Sequence, residues 1–247
     1  MRLRGDIGSR LGFIYLVRHA QAGTRDNYDV LSDLGLEQAR LLGEHLASQR
    51  ARISEIHCGA MNRQRLTAEI VRESLNGNGR RVPEIKGDSR WNEFQLAGLY
   101  RAFSERMCSE DSVFSADYKE MIETLKREPH TTRGPVGRCD VAMIRAWIDN
   151  RYPDFDGESW SDFQARIKSI AGELDDSHDD TILVFTSATP IAILAGSALS
   201  VSDAQLMRLL GVIYNSSMTT LKRFGDGLRL FSYNSTPHLT DDLRTFR

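Results

Sequence analysis

The stretch Thr181–Leu194, "TILVFTSATPIAIL", decides the fold. Ile182 to Phe185 form an apolar, β-rich run of the kind that lies buried inside a parallel sheet. Thr186, Ser187, Ala188 and Thr189 follow, then Pro190 and a second apolar run. Proline suits the first turn of a helix, where its missing N–H is no loss. The stretch therefore reads as strand, tight turn and helix, with free N–H groups and small hydroxyls at the turn. Such a helix start is a natural anion site.

Outward from this unit, residues 13–17 ("FIYLV"), 53–57 ("ISEIH") and 82–86 ("VPEIK") read as further strands. Near the C-terminus, 217–224 and 228–233 flank "GDG", a hairpin signal. Helical patterns lie between. Ser32 can cap a helix carrying Leu36, Ala39, Leu42, Gly43 and Leu46 on one face. A second helix spans roughly 64–75. A third follows Ser159 and carries Phe163, Ile167, Ile170 and Leu174 at helical spacing. Strands alternating with helices predict an α/β fold with a mainly parallel central sheet. Ligands gather at the carboxyl ends of the strands in such sheets. Residues 95–157 break the rhythm. They are polar and helix-prone, with "REPHTTRGP" as an irregular link, and read as an insertion over the sheet. It is either a lid or a plain surface excursion.

The chain has 247 residues, 40% hydrophobic and 27% charged, with a net charge of −2. That length suits one large domain, and the balance gives no hint of a nucleic-acid or membrane partner. Three scattered cysteines argue against a disulfide framework and fit a reducing cytoplasm. The opening "MRLRGDIGSRLGF" is basic without an apolar core segment, unlike a signal peptide. The expected organisation is a leader, 1–12, and a single domain, 13–247.

Four predicted strand ends carry chemistry. The first ends in Arg18-His19. The second is followed by Arg63 and Arg65 at a helix start. The third leads to Glu93, and the fourth to the Thr-Ser-Ala-Thr turn. These residue types suit phosphoryl transfer through histidine: an imidazole attacks phosphorus, arginines grip the phosphate oxygens, and a carboxyl group protonates the departing oxygen and then activates water. No His/Asp/Cys cluster at metal-ligand spacing is seen, and no cofactor is expected.

"LVRHAQA", "LSDLGLEQAR", "CGAMNRQRLTAEIV", "WNEF", "GESWSDFQARI", "VFTSATPIAIL" and "YNSTPHL" stand in that order over residues 13–239. The series resembles the histidine phosphatase superfamily, the group of cofactor-dependent phosphoglycerate mutases and many small phosphatases. The resemblance implies a three-layer α/β/α sandwich. It also implies His19 as the phosphorylated nucleophile, Arg18 and Arg63 as phosphate ligands, and Glu93 as the acid. Arg65 is expected to face solvent or an ion pair. The family has a second histidine after the fourth strand; here Ser187 stands in its place, and Ser187 and Ala188 are the phosphate-binding residues expected at this turn. Serine offers one O–H donor and no charge, and losing one transition-state donor typically costs about a hundred- to a thousand-fold in rate. A water, the backbone N–H groups after Ser187, or the Thr186 and Thr189 hydroxyls could fill part of the gap; His178, before the strand, is poorly placed, and His238 is better placed but its "PHL" also resembles a structural family feature. Three readings stay open: an active phosphatase, a slow one, and a phosphate-binding pseudoenzyme. The short link "AGTRDNYDV" departs from the mutase pattern and looks like a phosphatase. The expected substrate is a phosphorylated small molecule or protein side chain.

Rival motifs are weaker. Four residues separate Cys58 from Arg63, one short of a cysteine-phosphatase loop. Cys139 and Arg145 have the spacing but lack the glycine. No G-x-G-x-x-G follows a strand. Trp91, Trp147 and Trp160 read as packing residues, and His45 and His130 as surface ones.

Overall fold

The computed structural model describes residues 12–24, 27–49, 52–77, 82–129, 131–174, 181–224 and 227–246. Of the expected leader only Gly12 falls among them, and His130 and His178 lie outside. Among the described residues six strands form one sheet: β1 (Ile14–Arg18), β2 (Ile53–Cys58), β3 (Ile85–Gly87), β4 (Thr181–Thr186), β5 (Met218–Phe224) and β6 (Gly227–Ser235). Their order is β3-β2-β4-β1-β5-β6. The first four run parallel, and β5 and β6 are antiparallel, with Phe224 opposite Gly227.

The sheet separates two cores because strand side chains alternate between its faces. Val17, Leu183 and Phe185 point to α1 (Asp33–Ser48) and α2 (Asn62–Gly77), against Leu42, Leu46, Val71 and Leu75. Ile14, Leu16, Ile182 and Val184 point the other way, to α6 (Trp160–Gly172) and α7 (Ala188–Ala198). This is the expected three-layer α/β/α arrangement. The stretch 95–157 holds three helices, α3 (Leu96–Glu110), α4 (Ser112–Arg127) and α5 (Pro135–Ile148). Their apolar faces join the α6 side of the core through Phe103, Phe114, Met143 and Trp147. An eighth helix, α8 (Asp203–Leu210), follows α7; the sequence pattern had given no sign of it. No helix among the described residues is long and apolar enough to cross a membrane.

Local signals explain most elements. The Ser32 hydroxyl accepts from the Gly35 N–H and starts α1, and the Ser159 hydroxyl accepts from Asp162 N–H and starts α6. The α6 stripe is as expected, with Phe163, Ile167, Ile170 and Leu174 all buried. The α1 face is shifted. Leu36 is exposed, and Gly35 and Gln38 are buried in its stead. The cause is a close approach: a Cβ at Gly35 would lie 2.1 Å from the Gln21 carbonyl oxygen, so this turn of the helix presses its glycine inward. The third strand is shorter and later than 82–86; Pro83 has no N–H to give a ladder. Trp91, Trp147 and Trp160 are buried. His45 departs from the surface expectation, being half-buried with its ring 6.1 Å from that of His238.

Candidate active site

All four parallel strands deliver a residue of interest to one rim. Arg18 ends β1 and His19 follows it. The β2–α2 connection brings Arg63, the segment after β3 brings Glu93, and β4 brings Ser187. Arg18, His19, Arg63 and Ser187 are 5%, 2%, 6% and 1% exposed, so these polar groups sit in a nearly dry pocket.

The backbone of His19 is tied down on both sides. Its N–H donates to the Thr186 carbonyl at 2.9 Å, and its carbonyl accepts from Ser216 N–H and the Asn215 amide, both at 3.3 Å. In the ring, Nδ1 lies 2.8 Å from the Ala20 carbonyl oxygen, which can only accept. Nδ1 therefore carries the proton, and Nε2 turns its lone pair outward. That lone pair accepts from Arg63 Nε at 3.2 Å. Burial, then the charges of Arg63 and Arg18, hold the imidazole well below its ordinary range, so the ring is neutral at pH 7.

Arg18 lies beneath, its Nη1 donating to the Ile213 carbonyl. Arg63 extends from the first turn of α2. Thr67, one turn on, donates to the Arg63 carbonyl at 2.7 Å and accepts from Ala20 N–H at 3.1 Å, locking α2 to the His19 segment. Arg65 is exposed, 3.2 Å from the Asn62 side chain and 3.9 Å from Glu69, as expected.

Glu93 is placed by a 3-10 turn, Ser89–Trp91, capped by Asp88. Arg166 of α6 clamps this segment by donating to the carbonyls of Arg90 (2.6 Å) and Asn92 (3.2 Å). The Glu93 carboxyl accepts from Thr189 N–H and from its neighbour Phe94 N–H, each at 3.1 Å. Burial nevertheless raises its pKa above the usual carboxylate value. One N–H at the start of α7 thus meets Glu93 and is not left open for a ligand. A cavity of about 460 Å³ adjoins Glu93, lined by Phe94, Leu99, Arg101, Trp147, Phe155 and Asp156 among others.

Ser187 is the N-cap of α7, yet its hydroxyl makes no capping bond. Its Oγ accepts from Gln64 Nε2 at 2.8 Å. None of the side chains weighed as substitutes for a second histidine faces the pocket unengaged. Thr186 Oγ1 donates to the Trp91 carbonyl at 2.6 Å. The Thr189 side chain bonds Glu93. His238 Nε2 is 2.9 Å from Ser216 Oγ, behind His19. The cysteines fare no better as rivals: burial pushes both Cys58 and Cys139 up to about 11, which disfavours a thiolate.

The sequence model of the histidine phosphatase superfamily (branch 1) matches residues 14–121 and 137–236. The chain belongs to this superfamily. Solved structures share the fold. YhfR of Bacillus stearothermophilus is 21% identical, with a TM-score of 0.63 over 92% of this chain and 98% of its own. A phosphoglycerate mutase of Bacillus anthracis is 16% identical, with a TM-score of 0.60 over 93% and 96%. The mycobacterial glucosyl-3-phosphoglycerate phosphatase, in complex with inorganic phosphate, is 20% identical, with a TM-score of 0.56 over 93% and 100%. No curated protein matches the chain significantly.

Three residues of the site escaped the sequence reading. Gln64 is fully buried and reaches Ser187. It had a signal: positions 64, 67, 68, 71 and 75 form one buried helical stripe of α2, and a glutamine heads it. Tyr28 and Asp29 lie in the link after β1 and contact Arg63. Their only signal was the shortness of that link.

Proposed function

We propose that this superfamily member is a metal-independent phosphatase acting on a phosphomonoester through a phosphohistidine at His19. The observation that carries the reading is the His19 ring: neutral, with Nδ1–H fixed on Ala20, the Nε2 lone pair on the buried Arg63 guanidinium, and the charge of Arg18 also acting on the ring. In the first step Nε2 attacks phosphorus. A P–N bond forms, the ester P–O bond breaks, and the departing oxygen takes its proton from Glu93. Arg18 and Arg63 hold the phosphoryl oxygens and balance their charge. In the second step Glu93, now a carboxylate, takes a proton from water. The hydroxide oxygen bonds to phosphorus, the P–N bond breaks, and phosphate leaves with His19 neutral again. The raised pKa of Glu93 supports its role as proton donor. The cavity beside it has aromatic walls and both charges at its rim, which suits an organic leaving group with an apolar body.

A non-catalytic phospholigand-binding protein is the second reading, favoured by Ser187 in the histidine's place. Release of phosphate from an aryl phosphate separates the two. The wild type should exceed His19→Ala by several orders of magnitude, and acid-quenched wild type should carry acid-labile phosphate. Equal background from both proteins would end the enzyme reading.

A further inference from the structure

The pocket is occupied by the protein itself. Asp29 Oδ1 lies 3.0 Å from Arg63 Nη1 and 3.5 Å from the Arg63 N–H, and its Oδ2 accepts from Asn62 N–H at 3.2 Å. One carboxylate thus takes the outer edge of a guanidinium and the first N–H groups of α2. Tyr28 completes the cover. Its ring lies 4.8 Å from the Arg63 guanidinium and meets the His19 ring edge-to-face at 6.1 Å. Its hydroxyl is hydrogen-bonded to Arg18. Arg18, His19 and Arg63 therefore each touch Tyr28 or Asp29.

The cover is pinned at its base and half-exposed where it meets Arg63. The base of the loop is pinned as a small hairpin, by the Ala22–Leu31 bridge and the Gly23 N–H on the Val30 carbonyl at 2.8 Å. Asn27 N–H donates to the Thr24 carbonyl at 3.0 Å, and the side chains of Tyr28 and Asp29 contact the pocket and the start of α2. The Asp29 side chain is 48% exposed while that of Arg63 is 7% exposed, so the carboxylate regains water readily and the guanidinium does not. Asp29 offsets one of the two cationic charges of Arg18 and Arg63; with Asp29 gone, both guanidiniums are left for a phosphate dianion. As the loop stands, Arg63 Nε also donates to the very lone pair with which His19 would attack.

We propose that the Tyr28–Asp29 tip is an internal competitor for the phosphate pocket, an autoinhibitory contact that an incoming phosphoryl group displaces from Arg63 and from the start of α2. This rests on the phosphatase reading of the same site. Displacement also draws Arg63 Nε from His19 to a phosphoryl oxygen, so opening and arming of the nucleophile are one event.

The test is binding of inorganic phosphate, read by ³¹P NMR titration and calorimetry, without turnover. Asp29→Asn keeps an oxygen for the α2 N–H groups and removes the charge. It should tighten phosphate binding on the order of tenfold, the gain expected if the open state is populated about one time in ten. Tyr28→Phe keeps the ring, loses the contact to Arg18 and should tighten binding by a smaller factor. Unchanged or weaker binding by Asp29→Asn, with wild type still binding phosphate, would overturn the proposal and leave the phosphatase reading standing: Asp29 would then position Arg63. Phosphate binding by none of the proteins, with equal background turnover in wild type and His19→Ala, would sink both.

Discussion

Placing a histidine at position 187 should fail alone and succeed with a second change. Ser187 is 1% exposed and Gln64 is fully buried against it, their polar atoms 2.8 Å apart. An imidazole at 187 has nowhere to go while the amide arm stands there. Overpacking a filled site costs about 1–3 kcal/mol, which for a domain of this size lowers the melting temperature by roughly 2–12 °C. Gln64→Ala makes the room. It gives up the bonds to Ser187 and to the Trp91 carbonyl (3.3 Å), each worth about 1 kcal/mol net. The Trp91 carbonyl keeps Thr186 Oγ1 as a partner, and no buried acceptor is orphaned there. In the double variant the ring restores about as many heavy atoms as the amide arm and hydroxyl take away, a near volume-conserving exchange with an expected cost below about 1.5 kcal/mol. The two changes should therefore couple by about 0.5–3 kcal/mol. If the new imidazole donates to the transferring phosphoryl group, kcat should rise by about a hundred- to a thousand-fold over wild type. The assays are thermal melts and steady-state hydrolysis of one aryl phosphate for wild type, both single variants and the pair. The reasoning falls if Ser187→His alone keeps the wild-type melting temperature, since Gln64 would not then hold that space. It falls equally if the pair melts like wild type and turns over no faster, since position 187 would not then face the reaction.

Two pH effects follow from buried groups. His19 is neutral well below its ordinary pKa, and Glu93 holds its proton above the ordinary carboxylate value. For an alkyl phosphate, whose leaving oxygen needs the proton, kcat/KM should therefore form a bell. Its acid limb should lie clearly below pH 6.5 and its alkaline limb above pH 4.5, and Glu93→Gln should flatten the alkaline limb; an acid limb centred near pH 6.5 would refute the lowered His19 value. His238 concerns stability. Burial lowers it to about 4, so as pH falls the unfolded chain takes up this proton first, and folding free energy is lost from about pH 6.5 downward at about 1.4 kcal/mol per pH unit, about 3 kcal/mol in all. Urea midpoints at pH 7 and pH 4.5 should differ less in His238→Gln than in wild type, and equal losses would refute the assignment.

What the sequence disclosed, and what it hid, divides by sequence separation. His19, Arg63, Glu93 and Ser187 were legible because each sits just past a strand, and parallel strands force their carboxyl ends onto one rim. Ser32 was legible as a cap because the bond it makes spans three residues. The hidden features are contacts between distant segments. Leu36 belongs to the α1 stripe by period alone, and only the press of Gly35 against Gln21 turns it outward. Gln64 meets Ser187 across 123 positions, and Asp29 meets Arg63 across 34. No local pattern encodes such meetings.

Those two meetings also bear on how the pocket manages without a second histidine. A protonated histidine at 187 would add a cation to Arg18 and Arg63. Serine removes that charge and leaves a hydroxyl whose oxygen is already occupied by the Gln64 amide. Because that oxygen accepts, the Ser187 hydrogen is directed elsewhere, and under the proposed function a bound phosphate dianion would be its acceptor. The starts of α2 and α7 meanwhile each hold a carboxylate of the chain, Asp29 on one and Glu93 on the other. They differ in how they are kept. Glu93 is half-buried, fixed by two backbone N–H groups and raised in pKa, so it can hold or release a proton without moving. Asp29 is half in water and is held by the Arg63 guanidinium at 3.0 Å and the Asn62 N–H at 3.2 Å. The same electrostatic preference of a helix start for an anion thus supports a stationary acid at one end of the pocket and a displaceable stand-in at the other. Serine at 187 suits this arrangement, because a further fixed cation would strengthen the hold on Asp29 as well as on phosphate.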